Sequence, residues 1–85
     1  MPYLKEEDKK RMLREWEPTT PGELNFLITT LALRYWANSK QNYQAENDIM
    51  GAIHCAGLEY YRRHVSVYEN AAIRRNGDLY EDYVE

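Results

Sequence analysis

Apolar side chains recur at helical spacing in three segments of the chain, and the pattern predicts no sheet. The clearest start is the run Thr20-Pro-Gly-Glu-Leu-Asn25. The Thr20 hydroxyl suits an N-cap, Pro21 suits the first helical position, and Glu23 follows three residues after the cap. The pattern therefore predicts a helix over 21–37 that is apolar on nearly every face, which is typical of the centre of a core or of an oligomer. Its main apolar positions are Leu24, Phe26, Leu27, Ile28, Leu31, Leu33, Tyr35 and Trp36.

A shorter amphipathic helix is predicted before it, over 5–16. The segment is charged, but four apolar residues fall within one stripe. Pro18 ends the helix, because the residue before a proline avoids the α region. After the second helix, the polar run 38–42 is typical of a turn. The stripe of the first helix consists of Leu4, Met12, Leu13 and Trp16.

The third predicted helix is long, from 43 to 75, and the Asn76-Gly77 pair ends it. At 1.5 Å per residue it would span about 50 Å, more than the width of a domain of this size. We therefore expect either a bend near Gly57 or Ser66 or packing of its far half on another subunit. Gly51 and Gly57 each cost about 1 kcal/mol relative to alanine, which favours close helix packing at these points. The apolar stripe consists of Ile49, Ile53, Ala56, Tyr60, His64, Val67 and Ala71.

Together these elements predict an all-α fold. It comprises a short N-terminal helix and a helical hairpin with a long C-terminal helix, assembled as a homo-oligomeric bundle. The chain has 85 residues, which we interpret as a single helical domain over 1–85 with a loose acidic tail over 78–85. A domain of this size buries only about 60% of the surface that its unfolded chain exposes, so oligomerisation is the expected source of added stability.

The cysteine content and the net charge limit which compartment and which classes of binding partner we expect. Cys55 is the single cysteine, which excludes an intrachain disulfide and suits a reducing compartment. The net charge of −3 disfavours binding to duplex nucleic acid. No apolar run approaches the ~20 residues that span a bilayer, and the charged N-terminus is unlike a signal peptide. We therefore expect a cytoplasmic protein; if a phage encodes it, the cytoplasm is that of the bacterial host. We expect it to bind neither membranes nor duplex nucleic acid.

The candidate binding residues lie where polar side chains interrupt the third helix. Glu59 pairs in register with Arg62 at i+3 and Arg63 at i+4, and an intrahelical salt bridge on a solvated face is the structural interpretation. The functional interpretation is that an arginine grips phosphate while a tyrosine stacks on a base. The predicted ligand-binding residues are Glu59, Tyr60, Tyr61, Arg62 and Arg63, with Asn25 on the second helix.

Other chemistry is weakly supported, and we expect no catalytic residue, cofactor or metal. His54 and Cys55 point about 100° apart on a helix, so the imidazole cannot easily act as a base for the thiol. Cys55 is therefore interpreted as a small buried residue. His64 lies on an apolar stripe, which favours a hydrogen-bonded core histidine, and no zinc spacing is present. Small helical pyrophosphohydrolases of the MazG type hold magnesium with carboxylates at Glu-x-x-Glu and Glu-x-x-Asp spacing. The core helices lack both spacings, since Glu46 and Asp48 are two residues apart.

Several short motifs, in a fixed order, resemble a family of short proteins of unknown function found in bacteria, archaea and their phages. The resemblance covers nearly the whole chain. It implies a compact helical protein, is consistent with a phage origin, and brings no catalytic residues. The motifs are Met-Pro-Tyr-Leu-Lys-Glu-Glu-Asp at the start, Pro-Gly-Glu-Leu-Asn at 21–25, Asn-Asp at 47–48, Glu-Tyr-Tyr-Arg-Arg at 59–63, Tyr-Glu at 68–69 and Asn-Gly-Asp-x-Tyr at 76–80.

Three functions follow as hypotheses. The first is a non-enzymatic, homo-oligomeric binding protein; if a phage encodes it, its most specific form is an anti-defence sponge that sequesters a nucleotide-derived signal of host immunity. The second is a MazG-like, metal-dependent nucleotide pyrophosphohydrolase. The third is a protein–protein adaptor or inhibitor without a small ligand. Small size, many aromatic residues and the arginine–tyrosine run favour the first.

Overall fold

The computed structural model describes residues 2–84, which form helices and connecting turns without a strand. The all-α prediction is confirmed, and the first two predicted helices begin and end within one residue of the observed bounds. The third, predicted as one helix over 43–75, is divided into three helical elements that together cover 43–76. No helix in this described range is both long and apolar enough to cross a membrane. The elements are α1 (Glu6–Glu15), α2 (Pro21–Ala37), α3 (Tyr43–Tyr60), a π-helical turn (Tyr61–Val65, hereafter the π turn), α4 (Ser66–Asn76) and α5 (Leu79–Tyr83).

Helix α2 begins as its sequence predicts. The Thr20 hydroxyl accepts a hydrogen bond from the Glu23 backbone N–H at 3.1 Å, and Pro21 occupies the first helical position. At the other end, the Asn38 side chain donates to the Arg34 carbonyl oxygen at 2.9 Å. Both ends of α2 are therefore fixed by local hydrogen bonds that satisfy otherwise unpaired backbone groups.

The Glu23 carboxylate also joins α2 to α1. One oxygen accepts hydrogen bonds from the Thr19 backbone N–H at 2.9 Å and the Thr19 hydroxyl at 3.1 Å, and the other accepts one from the Arg11 guanidinium. Arg11 also contacts Asp8 at 3.3 Å. The Thr19 N–H and then the Arg11 side chain stabilise the ionised form of Glu23, so they hold its pKa below the ordinary value of 4.5.

This contact network predicts acid sensitivity. Because the folded-state pKa is lowered, the contribution of Glu23 to stability is fully present above about pH 4.5 and is lost as the pH falls through the folded value. We expect Glu23→Gln to melt at a lower temperature than the wild type at pH 7 and to lose less stability between pH 7 and pH 3.5. Thermal unfolding followed by circular dichroism at both pH values measures this.

The matched control is Glu7→Gln, which alters an exposed glutamate in the first turn of α1. It should leave the wild-type dependence on pH unchanged. If Glu23→Gln and the wild type lost the same stability between the two pH values, the ionised network at Glu23 would be refuted.

The described residues fall into two units, one up to Ile49 and the other from Met50 onward. In the first unit α1 contacts α2, and burial is confined to a few residues. Most apolar residues of α2 are exposed, so the prediction of a buried α2 is wrong for the single chain. The buried residues are Met12, Glu23, Leu27 and Ala45.

The second unit has no buried residue among positions 50–84. Cys55 is exposed, which corrects its interpretation as a small buried residue. A Cβ added at Gly51 or Gly57 would meet nothing within 4 Å, so neither glycine is closely packed within the chain. The single chain therefore leaves the face of its long helix uncovered. Its exposed apolar residues include Met50, Ile53, Leu58, Tyr60, Tyr61, Val67, Tyr68, Leu79, Tyr80 and Tyr83.

The predicted acidic tail contains a short helix. The Asp78 carboxylate accepts a hydrogen bond from the Tyr80 backbone N–H at 2.9 Å, and α5 follows over Leu79–Tyr83. Asp78 therefore acts as the N-cap of this helix. Position 85, the last of the predicted tail, lies outside the described residues.

Candidate functional site

The candidate residues lie at an irregularity of the long helix. At the π turn the Ser66 backbone N–H bonds to the Tyr61 carbonyl oxygen, five residues earlier instead of four. The Ser66 hydroxyl donates to the Arg62 carbonyl oxygen at 2.5 Å. The break in the repeat thus lies beside Ser66, one of the two positions where we expected a bend. Such π turns are rare in proteins, but those that occur are often found at functional sites. The irregularity therefore marks this segment as a candidate site.

Glu59 contacts Arg62 more closely than it contacts Arg63. Its carboxylate accepts hydrogen bonds from Arg62 at 2.8 and 3.4 Å, whereas Arg63 lies 4.0 Å away. All three side chains are more than half exposed. Exposed pairs of this kind contribute only about 0.2–1 kcal/mol, so either arginine can leave Glu59 for a stronger partner.

The aromatic residues of the cluster are also exposed. The Tyr60 ring stacks on the His64 ring, with centroids 4.7 Å apart and planes 8° apart. His64 is exposed, which corrects its interpretation as a hydrogen-bonded core histidine. The Tyr61 side chain is exposed as well. The segment therefore offers aromatic faces beside two cations.

Asn25 lies on α2, in the first unit. Its side-chain oxygen accepts a hydrogen bond from the Thr29 hydroxyl at 3.1 Å, one turn further along the same helix. The other five predicted residues share one helical segment, and Asn25 is not part of it. We therefore define the cluster as Glu59, Tyr60, Tyr61, Arg62 and Arg63.

Two features of the site were missed by the sequence patterns. The pairing of His64 with Tyr60 follows from their spacing of four residues, a signal that the sequence does contain. The π turn has no glycine or proline to mark it, and only Ser66 hints at its position. Within residues 2–84, no three His, Cys, Asp or Glu side chains are grouped so that they could hold a metal ion.

The chain matches the model of one protein family. A family model described as a domain of unknown function (DUF6899) matches residues 1–79, a range that includes α1 to α4 and every candidate residue. No curated protein and no solved structure matches the chain. The family description carries no activity, so function must be inferred from the side chains themselves.

Proposed function

We propose, for a chain that belongs to the DUF6899 family of unknown function, that it is a non-enzymatic, homo-oligomeric protein that binds a nucleotide-derived ligand at the cluster. The observation that supports ligand binding most strongly is the π turn, which contains the exposed side chains of Tyr61, Arg62 and Arg63. In a phage, such a protein would withdraw a nucleotide signal that host immunity uses.

The side chains of the cluster suit both parts of a nucleotide. Arginine donates paired, charge-assisted hydrogen bonds to phosphate, which are roughly twice as strong as neutral ones. Stacking of a base on an aromatic ring adds ~1–3 kcal/mol and tolerates any base. Since Glu59 binds the arginines only through exposed pairs, phosphate can replace it at small cost.

The uncovered apolar side chains of the second unit support a homo-oligomer. Met50, Leu58 and Val67 are each more than half exposed. Because the second unit has no buried residue of its own, association is the means by which its apolar side chains leave water.

Binding should depend on Arg62. We expect Arg62→Ala to weaken binding of cyclic di-AMP or ADP-ribose at least tenfold, because about 1.4 kcal/mol of lost charge-assisted bonding corresponds to a factor of ten. Isothermal titration calorimetry measures the affinity. Inorganic phosphate and adenosine, titrated separately, report the contributions of charge and of stacking.

The matched control is Arg14→Ala, since Arg14 is 68% exposed and Arg62 71%, and each pairs with a neighbouring glutamate. Arg14→Ala should bind like the wild type. Equal affinity of all three proteins would remove the cluster from the site. The adaptor function would be favoured if the wild type bound no nucleotide but formed a stable complex with another protein. The hydrolase function would be favoured if the wild type turned over the nucleotide in a metal-dependent reaction.

A further inference from the structure

We infer that two copies of the chain pair through their long helices in antiparallel orientation, with the two-fold axis between Tyr60 and Tyr61. This inference rests on the homo-oligomer in the proposed function and specifies its contacts. Three observations carry it: the course of the apolar stripe through the π turn, the sizes of the side chains along that stripe, and the order of charges beside it.

The π turn shifts the stripe by one residue. Up to Tyr60 the stripe follows Ile53 and Ala56 at helical spacing. The stacked rings of Tyr60 and His64 show that it continues across the turn on one face. Because the turn inserts one residue into the repeat, Tyr68 continues this face.

The Arg75 guanidinium lies 6.0 Å above the centre of the Tyr68 ring, which places these two residues, two turns apart, on one face. Val67, assigned to the stripe by a constant period of 3.6, therefore lies about a quarter-turn away. We define the stripe as Ile53, Ala56, Tyr60, His64 and Tyr68.

The sizes of the side chains are complementary in the antiparallel arrangement. About an axis between Tyr60 and Tyr61, Ile53 lies level with the partner's Tyr68, and Gly57 lies level with the partner's His64. A Cβ at Gly57 would meet nothing within 4 Å, so an imidazole has room there. Large side chains opposite small ones allow close packing, whereas an in-register parallel pair would set Tyr68 against its own copy.

The charges beside the stripe follow the same symmetry. Asp48, Glu59, Arg63 and Arg74 are separated by eleven, four and eleven residues, spacings that place all four on one flank. About the same axis, Asp48 lies within one residue of the level of the partner's Arg74, and Glu59 lies within one residue of the level of the partner's Arg63. The parallel pair would set each charge level with the same charge of its copy. Such pairs contribute little to affinity but select the orientation.

Contacts within the chain leave these charges available. Glu59 holds Arg62 at 2.8 Å, while Arg63 at 4.0 Å is free to turn toward the partner's Glu59. Asp48 accepts a hydrogen bond from the neutral Gln44 at 2.8 Å. The pairing therefore divides the cluster: Tyr60 and Arg63 contact the second copy, and Tyr61 and Arg62 lie off the stripe and remain for the ligand.

Cysteine cross-linking tests the orientation. In a Cys55→Ser background, one chain carries Ile53→Cys and a second, tagged chain carries Tyr68→Cys. The two are unfolded together, refolded and oxidised. We expect a covalent dimer between tagged and untagged chains, and none when either variant is oxidised alone. Tyr60→Cys, next to the axis, should cross-link to its own copy, and the wild-type chain, with Cys55 alone, should not.

Self-cross-linking of Ile53→Cys alone would overturn the antiparallel orientation, and an oligomer without the 53–68 cross-link would overturn the register. If either variant fails to fold by circular dichroism, Ala56→Cys with Val65→Cys tests the same axis with smaller changes. Loss of cyclic di-AMP and ADP-ribose binding with the cross-link intact would refute the proposed ligand but not the pairing. A wild-type monomer in light scattering would overturn the pairing and the oligomer together, whatever the ligand does.

Discussion

Ile53→Asp is expected to dissociate the homo-oligomer. Ile53 is 41% exposed in the single chain, and it lies on the stripe that a second copy covers in the proposed pairing. A carboxylate buried there without a partner costs several kcal/mol, and each two-fold pair would contain two of them. We expect the dissociation constant to rise at least a thousandfold, which corresponds to about 4 kcal/mol. Light scattering across a dilution series measures it.

Val67→Asp is the matched control, because it introduces the same charge at a more exposed residue, 63%, that the π turn moves off the stripe. It should change the dissociation constant little. Helical content should fall on dissociation of Ile53→Asp, since the second unit buries nothing by itself. If both variants dissociated equally, or neither did, the stripe would not be the interface.

Met12→Ala is expected to cause the largest loss of stability in the first unit. Met12 is the one fully buried large side chain among the described residues, at 0% exposure. Truncation of a buried methionine to alanine costs ~2–5 kcal/mol, through lost transfer energy and the cavity that remains. In so small a core, few neighbours are available to refill that cavity. Urea denaturation followed by circular dichroism measures the free energy of unfolding.

Leu13→Ala provides the comparison, since Leu13 is the next residue and is 41% exposed. We expect it to cost less than half as much, because much of its side chain is already in water. Equal losses for the two variants would mean that Leu13 is covered in the assembled protein, and the core would have to be redefined.

The helix ends could be predicted from the sequence because their signals are local. Thr20, Pro21 and Glu23 fix the start of α2 through contacts within four residues, and the structure shows the Thr20 cap bond at 3.1 Å. The signal at the start of α5 is also local, since the Asp78 carboxylate caps it. The acidic composition of the segment does not reveal this cap.

Burial and the π turn could not be predicted in the same way. A stripe such as the one through Ile53 and Tyr60 shows that a face needs cover, but not whether the chain itself or a second copy supplies it. Residues 61–65 are all compatible with an ordinary α-helix, so nothing but Ser66 distinguishes them. The predicted cluster residues lie together because they are neighbours along one helical segment, whereas Asn25 belongs to another helix.

Native mass spectrometry of the wild-type protein with cyclic di-AMP and ADP-ribose tests the central claim most directly, because one spectrum reports both assembly and ligand. The account predicts ions at an even multiple of the 10.2 kDa chain mass that retain one of the nucleotides, and Arg62→Ala ions of the same assembly without it. Ions at the mass of a single chain, free of nucleotide at every concentration, would contradict it.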